Sequence, residues 1–331
     1  MNQRNPWDTK QILAAFQTSD SQLNSTENGA VFTKIFLKEE LIGVGTNSEN
    51  EAVLIIPGQS SVTAFETKNA SFDPWKSFKE INNGISLNDV AVLTCRIDRT
   101  SEQNMNAVAA TFLGIIDLQL RFGNCGQAIW QMKSLFDSGF TIPKDDHLVT
   151  GLIGEIILML HHPNAQTIFN SWHSHIDDKY DFSNSLVRLD VKSTISGMRN
   201  HHFSSSQLPG ISPGKTYVAS ILISKVQTGT SFSSLIELFL QKIDQVNHEF
   251  IADMIFKTLH APPNYFDEYQ IDLIDTLNSV HIYSGNAIPT PFGGESILSM
   301  NWEASLSGIE NLSLDTSVFY KDHFKEMNDQ F

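Results

Sequence analysis

The stretch Tyr180–Thr194, YDFSNSLVRLDVKST, decides how the chain is read. From Val187 to Lys192 apolar and charged residues alternate, the period-two pattern of a half-buried strand. Val187, Leu189 and Val191 fall on one face, and Leu186, Arg188, Asp190 and Lys192 on the other. That second face carries three charges in a row. It is either a solvated face, where an exposed Asp–Lys pair contributes about 0–1 kcal/mol, or the lining of a reaction site.

Residues outside the strand bear on the choice. The tripeptide acid-x-Lys occurs at 8–10, 66–68, 177–179 and 190–192, and only the last lies in an alternating apolar strand. Asp181 precedes Asp190 across a turn at SNS. A two-residue loop of Asn184 and Ser185 would set Asp181 opposite Arg188 and diagonal to Asp190. A three-residue loop would turn it to the other face. Glu155 falls on the helical stripe Leu148, Leu152, Glu155, Met159, which is otherwise apolar. A carboxylate there is costly unless it is paired or bound to a cation. Gln207 follows a polar loop, SGMRNHHFSSSQL. Three carboxylates converging on one lysine suit Mg²⁺, which takes hard oxygen ligands, keeps several waters, acidifies a bound water and stabilises phosphate charge. Lys192, about 6.5 Å along the strand from Asp190, could position the water or neutralise the phosphate in the transition state.

The totals set outer limits. The chain has 331 residues, 41% of them hydrophobic, enough for two or three domains with a substantial core. No apolar run is long enough to span a bilayer, and MNQRNPWDTKQILAAF lacks the pattern of a signal peptide. Two distant cysteines fit a cytoplasmic protein without disulfides or a thiolate zinc site. The net charge of −15 speaks against a nucleic-acid partner at first sight. Residues 183–242, however, hold six bases and two acids.

Residues 1–98 read as a β-rich domain, with strands at VFTKIFL, LIGVGTN, AVLIIPG and VAVLTCRI, a short leading helix, and a loop or covering segment around Pro74. Residues 99–246 read as an α/β core: helices over SEQNMNAVAATFLGIIDLQLRF, GQAIWQMKSLFDSG and PKDDHLVTGLIGEIILMLHHP, the hairpin, the strand TYVASILISKV and the helix SFSSLIELFLQKI. Residues 247–331 read as an α+β region with strands at SVHIYSG and SILSMNWEASL.

Asp181, Asp190-Val191-Lys192, Glu155 on an earlier helix and Gln207 together resemble the PD-(D/E)XK nuclease superfamily. More narrowly, GLIGE, Trp172, YDF, LDVKST, HHFSSSQL and VHIYSGNAIPTP…ILSMNWEASL resemble an uncharacterised bacterial branch of PD-(D/E)XK proteins linked to restriction and phage defence. The resemblance covers about residues 100–310. It implies a mixed sheet flanked by helices, as in restriction endonucleases, and a Mg²⁺-dependent, Mn²⁺-tolerant enzyme that hydrolyses DNA. It implies Asp181, Asp190 and the Val191 carbonyl as metal ligands, Glu155 as a further ligand or base, Lys192 as the catalytic lysine and Gln207 as its support. The superfamily's proline is replaced by Tyr180. The superfamily also has members that bind DNA without cutting it, so a non-catalytic subunit of a multi-protein defence complex is the alternative.

The other signals are bland. His161-His162 closes a helix favourably, Cys125 reads as a small turn residue, and PFGGE (291–295) lacks the lysine of a phosphate loop. Arg199 and His202 are candidate phosphate contacts from the polar loop.

Overall fold

The structure, a computed structural model, describes residues 8–23, 31–37, 40–47, 49–59, 62–81, 85–96, 98, 100–140, 146–173, 178–183, 187–207, 215–291 and 299–312. The expected turn at Asn184–Ser185, along with Leu186, His175 and residues 292–295 of PFGGE, lies outside the described residues. Packing groups Met1–Lys144 with Ile255–Tyr265, and Asp145–Met254 with Phe266–Phe331. The expected boundaries near 98 and 246 fall within these two units rather than between them.

The first unit begins with α1 (Thr9–Leu23). The strands β1 (Val31–Leu37), β2 (Glu40–Thr46), β3 (Ala52–Pro57), β4 (Phe65–Glu66), β5 (Ala70–Ile81) and β6 (Ile85–Cys95) follow. They form one antiparallel sheet in the order β1-β2-β3-β6-β5-β4. The central strands β3 and β6 are near-continuous apolar runs, buried from Ala52 to Ile56 and from Val90 to Leu93. Strand β5 corrects the loop expected around Pro74. The register with β6 slips between Asp73 and Lys76, and Pro74 sits in that slip, where no ladder N–H is needed. Its carbonyl accepts from the Gln59 N–H at 3.1 Å.

Helix α2 (Glu102–Phe122) starts where Ser101 accepts from the Asn104 N–H and stops at Gly123 in the left-handed region, φ 68°. The single helix expected next is two, α3 (Gly126–Gln131) and α4 (Lys133–Asp137), divided at Met132, whose ψ of 6° departs from helical values. Cys125 is buried, its N–H donating to the Gln59 side chain.

The second unit begins with α5 (Asp146–His161) and α6 (Ala165–Phe169). Next come β7 (Phe182–Ser183), β8 (Val187–Thr194), β9 (Asn200–Ser204), β10 (Lys215–Leu222), β11 (Lys225–Ser231) and α7 (Phe232–Leu240). Helix α8 (His248–Leu259) belongs to this unit as far as Met254. Then follow β12 (Gln270–Ile271), α9 (Leu273–Asn278), β13 (His281–Ser284) and β14 (Asn301–Ser305). The main sheet runs β13-β10-β8-β7, with β8 and β10 parallel and the outer pairs antiparallel. The fold is thus mixed α/β. Among the described residues no helix is long and apolar enough to cross a membrane.

Two packing contacts position the site. Helix α5 lies on the apolar face of β8 so closely that a Cβ on Gly154 would stand 2.8 Å from Ser193 Cβ and 3.2 Å from Val191 Cγ1. On the opposite face a ribbon of β9 and β14 packs through Phe203, Ala304 and Leu306 onto Val218 and Tyr283. Val218 is the register partner of Asp190, so this ribbon covers the charged face of β8. Strand β9 also corrects the polar loop expected at 196–208. His201 and Phe203 turn inward and His202 outward.

Candidate active site

Alternation along β8 puts Arg188, Asp190 and Lys192 on one face, and the ribbon converts that face from solvated to enclosed. Asp190 is only 3% exposed. Its Oδ1 accepts from Gln207 Nε2 at 2.9 Å. Its Oδ2 lies 2.8 Å from Lys192 Nζ, a buried, charge-assisted contact. Lys192 also donates to Gln207 Oε1 at 3.3 Å, and the Ser204 N–H donates to the same oxygen at 3.4 Å. The Gln207 amide thereby fixes the acid and the lysine together. Phe203 lies beneath the ammonium, its ring centre 5.8 Å from Nζ.

Asp181 reaches this group by a register different from either alternative weighed for the turn. Phe182 pairs with Leu189 and Ser183 with Arg188, so the next step sets Asp181 across from Asp190 rather than from Arg188. The carboxylate accepts from the Val191 N–H at 2.6 Å. The N–H and C=O of one antiparallel strand residue leave the same side, so the Val191 carbonyl faces Asp181 too. Burial pushes the Asp181 carboxyl well above its ordinary range. The Glu155 and Asp190 charges push in the same direction, and the Val191 N–H and Lys192 oppose them. Some of the Asp181 surface remains open, but neighbouring atoms crowd the carboxylate enough for burial to lead. Burial also raises Asp190, with Lys192 opposing and Glu155 adding.

Glu155 stands on α5 between Leu152 and Met159, which are buried, whereas Leu148 at the head of the expected stripe is exposed. Its Oε2 accepts from Trp172 Nε1 at 2.5 Å and lies 3.1 Å from His173 Nε2. A bridge between Trp172 and Phe182 ties this segment to β7, with the His173 N–H donating to the Asp181 carbonyl at 2.8 Å. In the sequence Trp172 counted only toward the family resemblance, and His173 carried no signal of its own. Their link to Glu155 is tertiary.

Arg199 is engaged internally: Nη1 donates to the Ser220 carbonyl and hydroxyl at 2.6 and 2.9 Å, and Nη2 to the Ser279 carbonyl at 2.5 Å. His201 Nε2 meets the Ser220 hydroxyl at 2.7 Å. Burial, then Lys192, Arg199 and His202, lower its pKa to about 4, so it is neutral near pH 7. His202 is exposed, opposite Glu303 of β14.

With all three ionised, the carboxylates against one ammonium would carry two negative charges, the charge one divalent cation would balance. Among the described residues no three His, Cys, Asp or Glu side chains stand at metal-holding spacing. Two carboxylates, Asp181 and Asp190, and a backbone carbonyl remain as hard oxygen donors, a set that suits a divalent ion that keeps several waters. No curated protein and no solved structure matches the chain. Residues 132–272, which contain Glu155, Asp181, Asp190, Lys192 and Gln207, match the model of a family described as "Putative PD-(D/E)XK family member, (DUF4420)".

Proposed function

We propose that this chain is a divalent-metal-dependent nuclease that hydrolyses DNA phosphodiesters, with Mg²⁺ as its ion and Mn²⁺ as a substitute. The observation that carries this is the buried Asp190–Lys192–Gln207 triangle with Asp181 across the strand pair. The family match supports a nuclease-like function and a restriction-endonuclease-like core. A place in a restriction or defence system, with other subunits as partners, rests on the resemblance.

Asp181, Asp190 and the Val191 carbonyl would hold the ion, with Glu155 beside them. When bound, such an ion supplies positive charge against the phosphate and acidifies water. The chain's own groups do the rest. Lys192, held by Asp190 and Gln207, brings its ammonium to the phosphate oxygens as charge builds on them. Glu155, oriented through Oε2 by Trp172 and His173, offers its other oxygen to the proton of the attacking water. The water oxygen bonds to phosphorus, the ester P–O bond breaks, and the leaving oxygen takes a proton from solvent. His202, which is exposed, is the outer candidate for phosphate contact, since Ser220 and Ser279 occupy the Arg199 guanidinium.

The test is cleavage of plasmid and linear DNA with Mg²⁺ or Mn²⁺ by the native protein, Asp190→Ala and Lys192→Ala. The expected result is cleavage by the native protein alone. Equal cleavage by all three would remove this site from the chemistry. Failure of the native protein with every ion and substrate would favour the non-catalytic alternative.

A further inference from the structure

The site described so far holds anions and one lysine, and the lysine is already neutralised by Asp190. A polyanionic substrate approaching three carboxylates needs positive charge nearby that is not spent. The second unit supplies it on the hairpin. Arg188 lies on the same face of β8 as Asp190, one pleat or about 6.7 Å away along the strand. Its guanidinium sits 5.6 Å from the ring centre of Tyr180, the residue directly before Asp181, and Lys179 Nζ sits 5.1 Å from the same centre. The Tyr180 hydroxyl reaches the Ser206 carbonyl at 3.5 Å, which sets the ring beside the turn that carries Gln207.

Two features separate this cluster from ordinary surface charge. Among the described residues no carboxylate forms an ion pair with Lys179 or Arg188, in a chain where 37 acids face 22 bases. Their common partner is an aromatic ring, which orients two cations by its quadrupole without cancelling their charge. Lys179 is exposed and Arg188 and Tyr180 are partly exposed, so the cations are accessible.

We infer that Lys179, Tyr180 and Arg188 form a clamp for the sugar–phosphate backbone, gripping phosphates on the Asp181 side of the cleavage point. The clamp rests on the nuclease reading for its ligand, a nucleic-acid strand, and deepens it by naming where the backbone is held. It reads charge rather than bases, so it works on either strandedness and gives no sequence preference.

The experiment measures binding of a fluorescently labelled duplex, and of its single strand, by anisotropy across a salt series. It is run in EDTA and in Ca²⁺, with unfolding curves confirming that each variant is folded. Lys179→Gln and Arg188→Gln should each weaken binding roughly five- to tenfold at low salt. Each should flatten the slope of log K against log salt by about 0.7–0.9. Arg188→Lys should keep the slope, and Tyr180→Leu should bind several-fold more weakly. Slopes unchanged in both glutamine variants, or no binding of either oligonucleotide by the native protein, would overturn the clamp. Reduced slopes in a protein that no metal activates would sink the cleavage reading and leave the clamp standing. Cleavage with unchanged slopes would do the reverse.

Discussion

Replacing Asp181 by Asn separates a functional carboxylate from a structural one. The acid accepts one backbone N–H, from Val191 at 2.6 Å, and an amide oxygen can do the same. What Asn removes is charge. Burial first, then repulsion by Glu155 and Asp190, disfavours that charge, and the Val191 N–H and Lys192 only partly offset them. At an effective dielectric near 20, a repulsion between neighbouring carboxylates is worth on the order of 2 kcal/mol. Asp181→Asn should therefore stabilise the metal-free second unit by about 1–2 kcal/mol and raise its Tm by a few degrees. Asp190→Asn should move the opposite way, losing about 1–3 kcal/mol, because it strips Lys192 of its counter-ion. Mn²⁺ should reverse the first result. At a hundred times its Kd the ion would stabilise the native protein by about 2.7 kcal/mol and the Asn variant far less. Thermal unfolding with amide exchange of β8 and β10 isolates the second unit. If Asp181→Asn proved as damaging as Asp190→Asn, and Mn²⁺ stabilised neither more than the other, Asp181 would be a structural acceptor and the charge reasoning would fail.

Three other outcomes follow from single contacts. Gly154→Ala places a Cβ 2.8 Å from Ser193 Cβ, and Ser193 is held by its bond to the Thr150 carbonyl at 2.7 Å. Overpacking of about 1–3 kcal/mol should exceed the ~1 kcal/mol helix gain, with partial rescue by adding Ser193→Gly in urea unfolding. Gln207→Leu leaves Asp190 Oδ1 without its donor and removes one of the two groups that hold Lys192, so cleavage should fall about 10–100-fold, mainly in kcat. His201, with its folded pKa lowered to about 4, stabilises fully above its unfolded value of about 6.5. That contribution is lost as pH falls from about 6.5 towards 4. Burial leads in holding it neutral, with Lys192 on β8, Arg199 just before β9 and His202 on β9 adding to it. Relative to His201→Gln, the native protein should lose about 1–3 kcal/mol between neutral pH and about pH 4.5, read from urea midpoints.

The strand 187–192 and the helix carrying Glu155 were legible because their signals are local. Period-two alternation assigns faces, and an acid interrupting an apolar helical stripe marks an anomaly whatever the tertiary fold. Register was not legible: the step from Ser183 to Arg188 depends on turn backbone, which SNSLV does not dictate. Strand β5 was hidden by Pro74, since a proline reads as a breaker until a register slip is known to host it. Strand β9 was hidden by its polarity. Its pairing runs to β14 about a hundred residues later, and no local window contains that partner. The same holds for Trp172 and His173, whose tie to Glu155 exists only once α5 lies on β8.

Total charge is a poor guide to what this chain can bind, for a reason of scale. At physiological ionic strength the screening length is about 8 Å, so an exposed carboxylate several such lengths away scarcely acts on a phosphate in the site. On the proposed function a phosphate would meet Asp181, Asp190 and Glu155, then Lys192, then Lys179 and Arg188 around Tyr180, with the exposed Asp178 beside Lys179. A divalent cation would neutralise the inner group, and the outer pair would keep its positive charge for the backbone. A chain of net charge −15 can thus be electropositive where the substrate touches it, but only with the ion in place. Without the ion, the inner carboxylates and the outer cations oppose one another. DNA affinity in EDTA should therefore fall well below that in Ca²⁺, and Asp181→Asn should narrow the gap by raising the metal-free affinity. Equal affinity with and without Ca²⁺ would mean that the carboxylates and the clamp do not share a substrate.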